Sequence, residues 1–352
     1  MQLLAVSTQN LYSKPATYCR ELLWAASFSE PNLGLRQRYH KCSYRQARLY
    51  TNYMKDTDKE AKKVYTVFSH TKYGRRLANK ARYDRFRPHG YSVKHWERLL
   101  GPDVNNLHHM SHTIVVSRWF IRQENAAQPG LFTRREKLLL SVTAALHDQA
   151  EAIVGDVPYG RKSEGAERRE ILELREHEAA FAPRLGGPAL RLYRYGRDKI
   201  AFGDHAQKLP AAFKTIELIG FLENSLAAQR RLRQLRSLPL SSKQANYLGI
   251  HTEADRKRTI TALERLSAEV LSNGVITQLI ELGAHYTSAH IFLLKHEAEI
   301  TAELAAVHED TFDWYSTGDD PGAGPKETER HIRGLHKQKS LWDAWVSSRE
   351  TN

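Results

Sequence analysis

The chain has 352 residues, with 53 Lys and Arg against 40 Asp and Glu and a formal net charge of +13. Its longest apolar runs, such as Leu138 to Leu146, stop far short of the roughly 20 residues that a bilayer span needs. Two cysteines, Cys19 and Cys42, exclude a disulfide framework and a sulfur-ligated zinc site. The first residues hold no compact apolar segment with a small-residue cleavage site, so a cytoplasmic protein with no membrane partner is expected.

The charge is unevenly placed. Residues 1–100 hold 20 Lys and Arg against 7 Asp and Glu, which is the whole surplus. Residues 1–98 read as a basic, mostly helical N-terminal extension with Tyr and Arg interleaved, as in RQRYHKCSYRQARLYTNYMK. Arg and Lys can neutralise phosphates while Tyr and Phe stack on bases, so nucleic acid is a candidate partner for this segment beside a plain solvated face.

Residues 99–236 read as helical throughout, with no strand alternation. Apolar spacing places a helix over 108–122. A second runs over 133–153, opened by Thr133 with Glu136 three positions later, the signature of a capping box. A charge-laced helix over 164–182 ends at Pro183 and the Gly186-Gly187-Pro188 break, and another covers 206–236. Residues 240–352 read as a helical C-terminal extension: amphipathic helices over 251–273 and 275–309, a flexible loop over 316–327 and a short terminal helix with Trp342 and Trp345. The expected class is all-α. His285, His290 and His296 fall on different helix faces and are expected to pack or face solvent.

The second of these helices ends in unusual chemistry, in the stretch LHDQAEAIVGDVPYGRK. Neighbours on a helix point about 100° apart, so His147 and Asp148 cannot share a face, yet at a helix end both can grip one metal ion. Imidazole nitrogen and carboxylate oxygen together suit a hard or borderline divalent cation. Glu151 lies four residues after His147 and projects beside the pair, Asp156 follows on the turn after Gly155, and Pro158 stops the helix. A further ligand has to come from another helix. In MSHTIVVSRWF, His112 shares a face with Val115, Val116 and Trp119, and is expected to point at the core and complete the site.

With these residues in place, the chain resembles the HD-domain phosphohydrolases, and most closely the bacterial 5′-deoxynucleotidase branch. The branch pattern H-D-x-x-E-x-x-x-G-D-x-P-x-x-x-K is matched at His147, Asp148, Glu151, Gly155, Asp156, Pro158 and Lys162. The resemblance covers about residues 95–235. It implies an HD-domain helical bundle core, with His112, His147 and Asp148 as ligands of a divalent metal (Mn, Co, Ni, Mg or Zn), Glu151 and Asp156 as proton-handling groups, and Lys162 as a phosphate contact.

The family's fourth ligand, an Asp about seventy residues after the pair, is replaced here. Its register falls on FKTIELIGF, where Glu217 has Phe213 and Phe221 one turn away on either side. An unpartnered carboxylate on such a stripe is costly, and a metal would offset the cost. Asp198 and Asp204 are the rival candidates. Substrate selection in the branch involves an Arg and a Trp shortly before the first histidine, which here suggests Lys94, Trp96 and Arg98, with packing on the core as the alternative for Trp96.

The function so implied is metal-dependent hydrolysis of phosphoester bonds in nucleotides, either (deoxy)nucleoside 5′-monophosphates or dNTPs, by a homo-oligomer. The alternative is a nucleic-acid-binding HD phosphodiesterase or nuclease, or an inactive scaffold that uses the basic N-terminal segment.

Overall fold

The structure is a computed structural model, and it describes residues 59–155, 164–317 and 324–350. Among them no strand forms, and the only sheet-like pairing is an isolated bridge between Ala81 and Asn105. The all-α class expected from periodicity is what the chain adopts. No described helix is long and apolar enough to cross a membrane. Most of the basic segment, residues 1–58, lies outside the described residues, as does much of the expected loop, at 318–323.

In chain order the helices are α1 (Lys59–Ser69), α2 (Lys72–Leu77), α3 (Val93–Leu100), α4 (Asn106–Ala127), α5 (Arg134–Ala144), α6 (Glu151–Val154), α7 (Glu164–Leu185), α8 (Gly187–Gly196), α9 (Lys208–Ser237), α10 (Lys243–Tyr247), α11 (Glu253–Ser272), α12 (Val275–Gly283), α13 (Thr287–Lys295), α14 (Glu297–Ala306), α15 (Trp314–Thr317) and α16 (Pro325–Glu350). A single contact unit spans Asp56–Asn352. The C-terminal helices therefore share packing with the segment 99–236.

The 30-residue α9 is the axis of this unit, about 45 Å long at 1.5 Å per residue. Buried side chains occur on almost every side of it, from Phe213 and Ile216 through Leu222 to Leu235, because α4 and α5 cover one flank while α11 and α12 cover the other. Helix α1 buries Ala61, Val64 and Phe68, and Phe68 meets Phe181 of α7 edge-on.

Two expected helices are divided. The capping box at Thr133 forms, with the Thr133 hydroxyl accepting from Glu136 N and the Glu136 carboxylate from Thr133 N. The helix it opens stops at Ala144, however, and residues 145–150 run through buried turns before α6. The expected single helix over 275–309 becomes three. The cause of one division is tertiary: the buried Glu124 of α4 accepts from both the backbone N and the Oγ of Ser288, at 2.6 Å each, and so caps α13 from outside.

One buried carboxylate makes folding depend on pH. Glu303 of α14 is enclosed between α9 and α11 and accepts from the hydroxyls of Ser225 and Ser267. Burial outweighs these hydroxyls and carries its pKa from the ordinary 4.5 up to about 7. Between those values the folded chain holds a proton that the unfolded chain has lost, so stability falls as pH rises, by about 3 kcal/mol in all. Glu303→Gln removes that dependence. Urea midpoints of the parent and variant should converge at pH 5, and the variant should be the more stable at pH 8; equal midpoints at pH 8 would refute the assignment.

Candidate metal centre

The site is built where three separate pieces of chain meet. Two backbone hydrogen bonds, Arg82 N to Val104 O at 2.8 Å and Asn106 N to Lys80 O at 3.2 Å, clip residues 80–82 to the start of α4. Asn105 caps that helix, its Oδ1 accepting from Leu107 N and His108 N, and its Nδ2 donates to Ala78 O. This local frame sets Arg82, Asp103, Asn106 and His109 on one wall. The turns after α5 set His147 and Asp148 on the opposite wall, and α9 closes the side with Phe213 edge-on to the His147 ring and Phe221 under the Arg82 guanidinium.

Three ligand atoms converge. His109 Nε2 lies 3.2 Å from His147 Nε2 and 3.5 Å from Asp148 Oδ2, and the remaining edge, His147 Nε2 to Asp148 Oδ2, is 3.3 Å. All three residues are buried. An ion about 2.1 Å from each of three ligand atoms separates them by about 3.0 Å at right angles and about 3.4 Å at tetrahedral angles. The observed triangle therefore has the dimensions of a two-histidine, one-carboxylate face. The tautomer fits as well: His147 Nδ1 lies 3.0 Å from Ala144 O, a pure acceptor, so Nδ1 carries the proton and Nε2 offers its lone pair.

The histidine that meets the pair is His109. His112, three residues on, turns toward a second group in which its Nδ1 lies 3.0 Å from Asp103 Oδ1 and its Nε2 3.7 Å from Glu223 Oε2 of α9. Charge separates the two rings. Burial, reinforced by Arg82, lowers His109 to about 4 and leaves it neutral. Burial also opposes charge on His112, but Asp103 and Glu223 outweigh it and raise that ring to about 9. An imidazolium has no lone pair to give a metal. Burial would raise the Asp103 carboxyl, yet His112 and His109 hold it well below the usual carboxylate range.

The other expected residues distribute as follows. Glu151, at the start of α6, is buried and accepts from Asn106 Nδ2 of α4, one turn before His109; Asn106 Oδ1 is buried with no partner among the described residues. Glu217 is half-buried and belongs to neither ligand group, but the residues one turn before and after it, Phe213 and Phe221, touch His147 and Arg82. Its position is thus on the stripe of α9 that faces the centre. Asp198 is tied by the guanidinium of its neighbour Arg197, and the exposed Asp204 caps Ala206 N. Asp156 and Lys162 lie outside the described residues.

Of the three residues suggested for substrate selection, Trp96 is 0% exposed and donates to Arg82 O, Arg98 donates to Tyr247 O, and Lys94 is exposed. Trp96 packs on the core and steadies the backbone of Arg82, which itself reaches the centre. Arg82, Asp103, Asn106 and His109 are the residues that sequence reasoning missed. The stripe His109, Thr113, Val116, Phe120 carried a signal for His109, but the threonine in it made the stripe through His112 look the more apolar.

Comparison of the chain with protein-family models, with curated proteins and with solved structures returns no match.

The geometry separates the two histidines experimentally. Manganese or cobalt bound per chain, measured by elemental analysis after dialysis, is expected to fall toward zero in His109→Ala and to be largely retained in His112→Ala. Full occupancy in His109→Ala would remove it from the ligand set.

Proposed function

We propose that this protein is a metal-dependent phosphohydrolase acting on nucleotides, most closely like the HD-domain 5′-deoxynucleotidases. Its substrates are (deoxy)nucleoside 5′-monophosphates or dNTPs. The observation that carries this reading is the triangle of His109 Nε2, His147 Nε2 and Asp148 Oδ2 at 3.2–3.5 Å, beside the buried Asn106–Glu151 pair.

His109, His147 and Asp148 would hold the ion, and Glu217 would supply a fourth ligand from the facing stripe of α9. When bound, a divalent cation supplies Lewis-acid polarisation of a phosphoryl oxygen and makes water a better nucleophile at neutral pH.

The chain's own groups account for the rest of the reaction. Glu151, oriented by the Asn106 amide, accepts a proton from the attacking water. The unpartnered Asn106 Oδ1 offers a second acceptor to the same water. Lys80, whose Nζ lies beside Gly155 at the end of α6, brings positive charge suited to a phosphate dianion. Gly155 sits at φ +89 and closes α6, a conformation that favours glycine. From the resemblance, Asp156 donates a proton to the leaving oxygen and Lys162 contacts phosphate.

Phosphate release from a panel of nucleoside mono- and triphosphates with Mn²⁺, Co²⁺ or Mg²⁺ tests the reading. His147→Ala and Asp148→Ala should abolish turnover while helical content is kept. Glu151→Gln should lower kcat by about 10²–10⁴-fold with metal content retained, as expected for loss of a general base. A parent protein inert on the whole panel, or a fully active His147→Ala, would sink the proposal.

A further inference from the structure

The His109 ring is addressed differently at its two nitrogens. Around Nε2 stand only acceptors. His147 Nε2, at 3.2 Å, offers a lone pair because the proton of that ring is on Nδ1. Asp148 Oδ2 is a carboxylate oxygen at 3.5 Å. Thr113 Oγ1, at 3.3 Å, has already given its own proton to His109 O at 3.0 Å. Such a set is satisfied by a proton on Nε2 or by a cation in front of it.

Around Nδ1 stand one donor and one acceptor, Arg82 Nη1 at 2.8 Å and Asp103 Oδ1 at 3.0 Å. A guanidinium can only donate and a carboxylate can only accept, so Nδ1 uses one of them at a time. A neutral imidazole has a single ring proton, and the two edges are therefore linked.

We propose that Asp103 and Arg82 act as a tautomer selector for His109. With the proton on Nε2, Nδ1 accepts from Arg82. With a divalent cation at Nε2, the same proton resides on Nδ1 and is donated to Asp103. One proton changes nitrogen, and the charge of the ring is unchanged. Asp103 is then a positioning residue that makes His109 a ligand, and the inference rests on the triangle being a metal centre. His112 Nδ1, also 3.0 Å from Asp103 Oδ1, pairs with the same carboxylate oxygen that faces His109.

Chelator competition with Zn²⁺ and Mn²⁺, together with ¹⁵N NMR of the histidine rings, tests this. Asp103→Asn should weaken metal affinity about 10–100-fold, the usual effect of losing the carboxylate behind a ligating histidine. Asp103→Glu should recover part of that loss. Arg82→Met should bind no more weakly than the parent, because it removes the donor that favours the competing tautomer. In the parent, Zn²⁺ should move the protonated nitrogen of His109 from Nε2 to Nδ1, a measurement that needs no variant. An Asp103→Asn protein that binds as tightly as the parent, or a His109 ring that keeps its proton on Nδ1 with and without Zn²⁺, would overturn the selector while leaving the metal centre standing. A parent that binds no ion, or a His147→Ala variant that binds as well as the parent, would instead remove the centre and the selector together.

Discussion

The chain leaves α5 after Ala144 and spends residues 145–150 in buried turns, and the candidate centre depends on that departure. Consecutive residues of a continuous helix diverge by about 100°, which would send His147 and Asp148 to different neighbours. In the turn both reach the same point, while Gln149 between them and α6 faces the other way and accepts from Tyr193 of α8. The neighbouring packing leaves little latitude. Gly196 of α8 lies so close that a Cβ there would stand 2.8 Å from Thr143 Oγ1, so α8 presses on α5 at the place where the helix ends.

Charge explains how two histidines three residues apart differ in use. Asp103 sits among Arg82, His109 and His112, and a buried carboxylate can stay ionised there because the cationic Arg82 and His112 stand beside it. His112 takes the proton because Asp103, with Glu223, outweighs its burial, whereas burial and Arg82 keep His109 neutral although Asp103 and Asp148 face it too. One ring serves as counter-charge and the other keeps a lone pair. The arrangement also ties α4 to α9, the helix that carries Glu217.

Much of the fold was legible in the residues. Helical periodicity set the all-α class, Thr133 and Glu136 marked the start of α5, and Gly186-Gly187-Pro188 marked the junction of α7 and α8, although Pro183, expected to end α7, lies inside it. The His147-Asp148 pair and Glu151 were conspicuous as charge at the end of an apolar run, and the packing buries all three. His112 was the more convincing inward face by spacing alone, because Val115, Val116 and Trp119 flank it; His109 shares its stripe with a threonine whose role is to accept at the imidazole. Trp96 was visible as a feature before α4, but whether it met solvent or core depended on Arg82, fourteen residues earlier, whose carbonyl it binds.

The sequence by itself determined local matters: which segments are helical, where caps and breaks fall, and that a His, an Asp and a Glu of metal-ligating types follow α5. These depend on backbone propensities and on neighbours three or four positions away. Tertiary structure alone decided which histidine meets the pair, that Arg82 and Asp103 stand behind it, and which face of α9 fronts the centre. Those outcomes depend on how elements tens of residues apart are clamped together, by the hydrogen bonds between residues 80–82 and 104–106 and by Phe213 and Phe221 against the site. Periodicity shows that a helix has a buried face, but the partner of that face is chosen by packing.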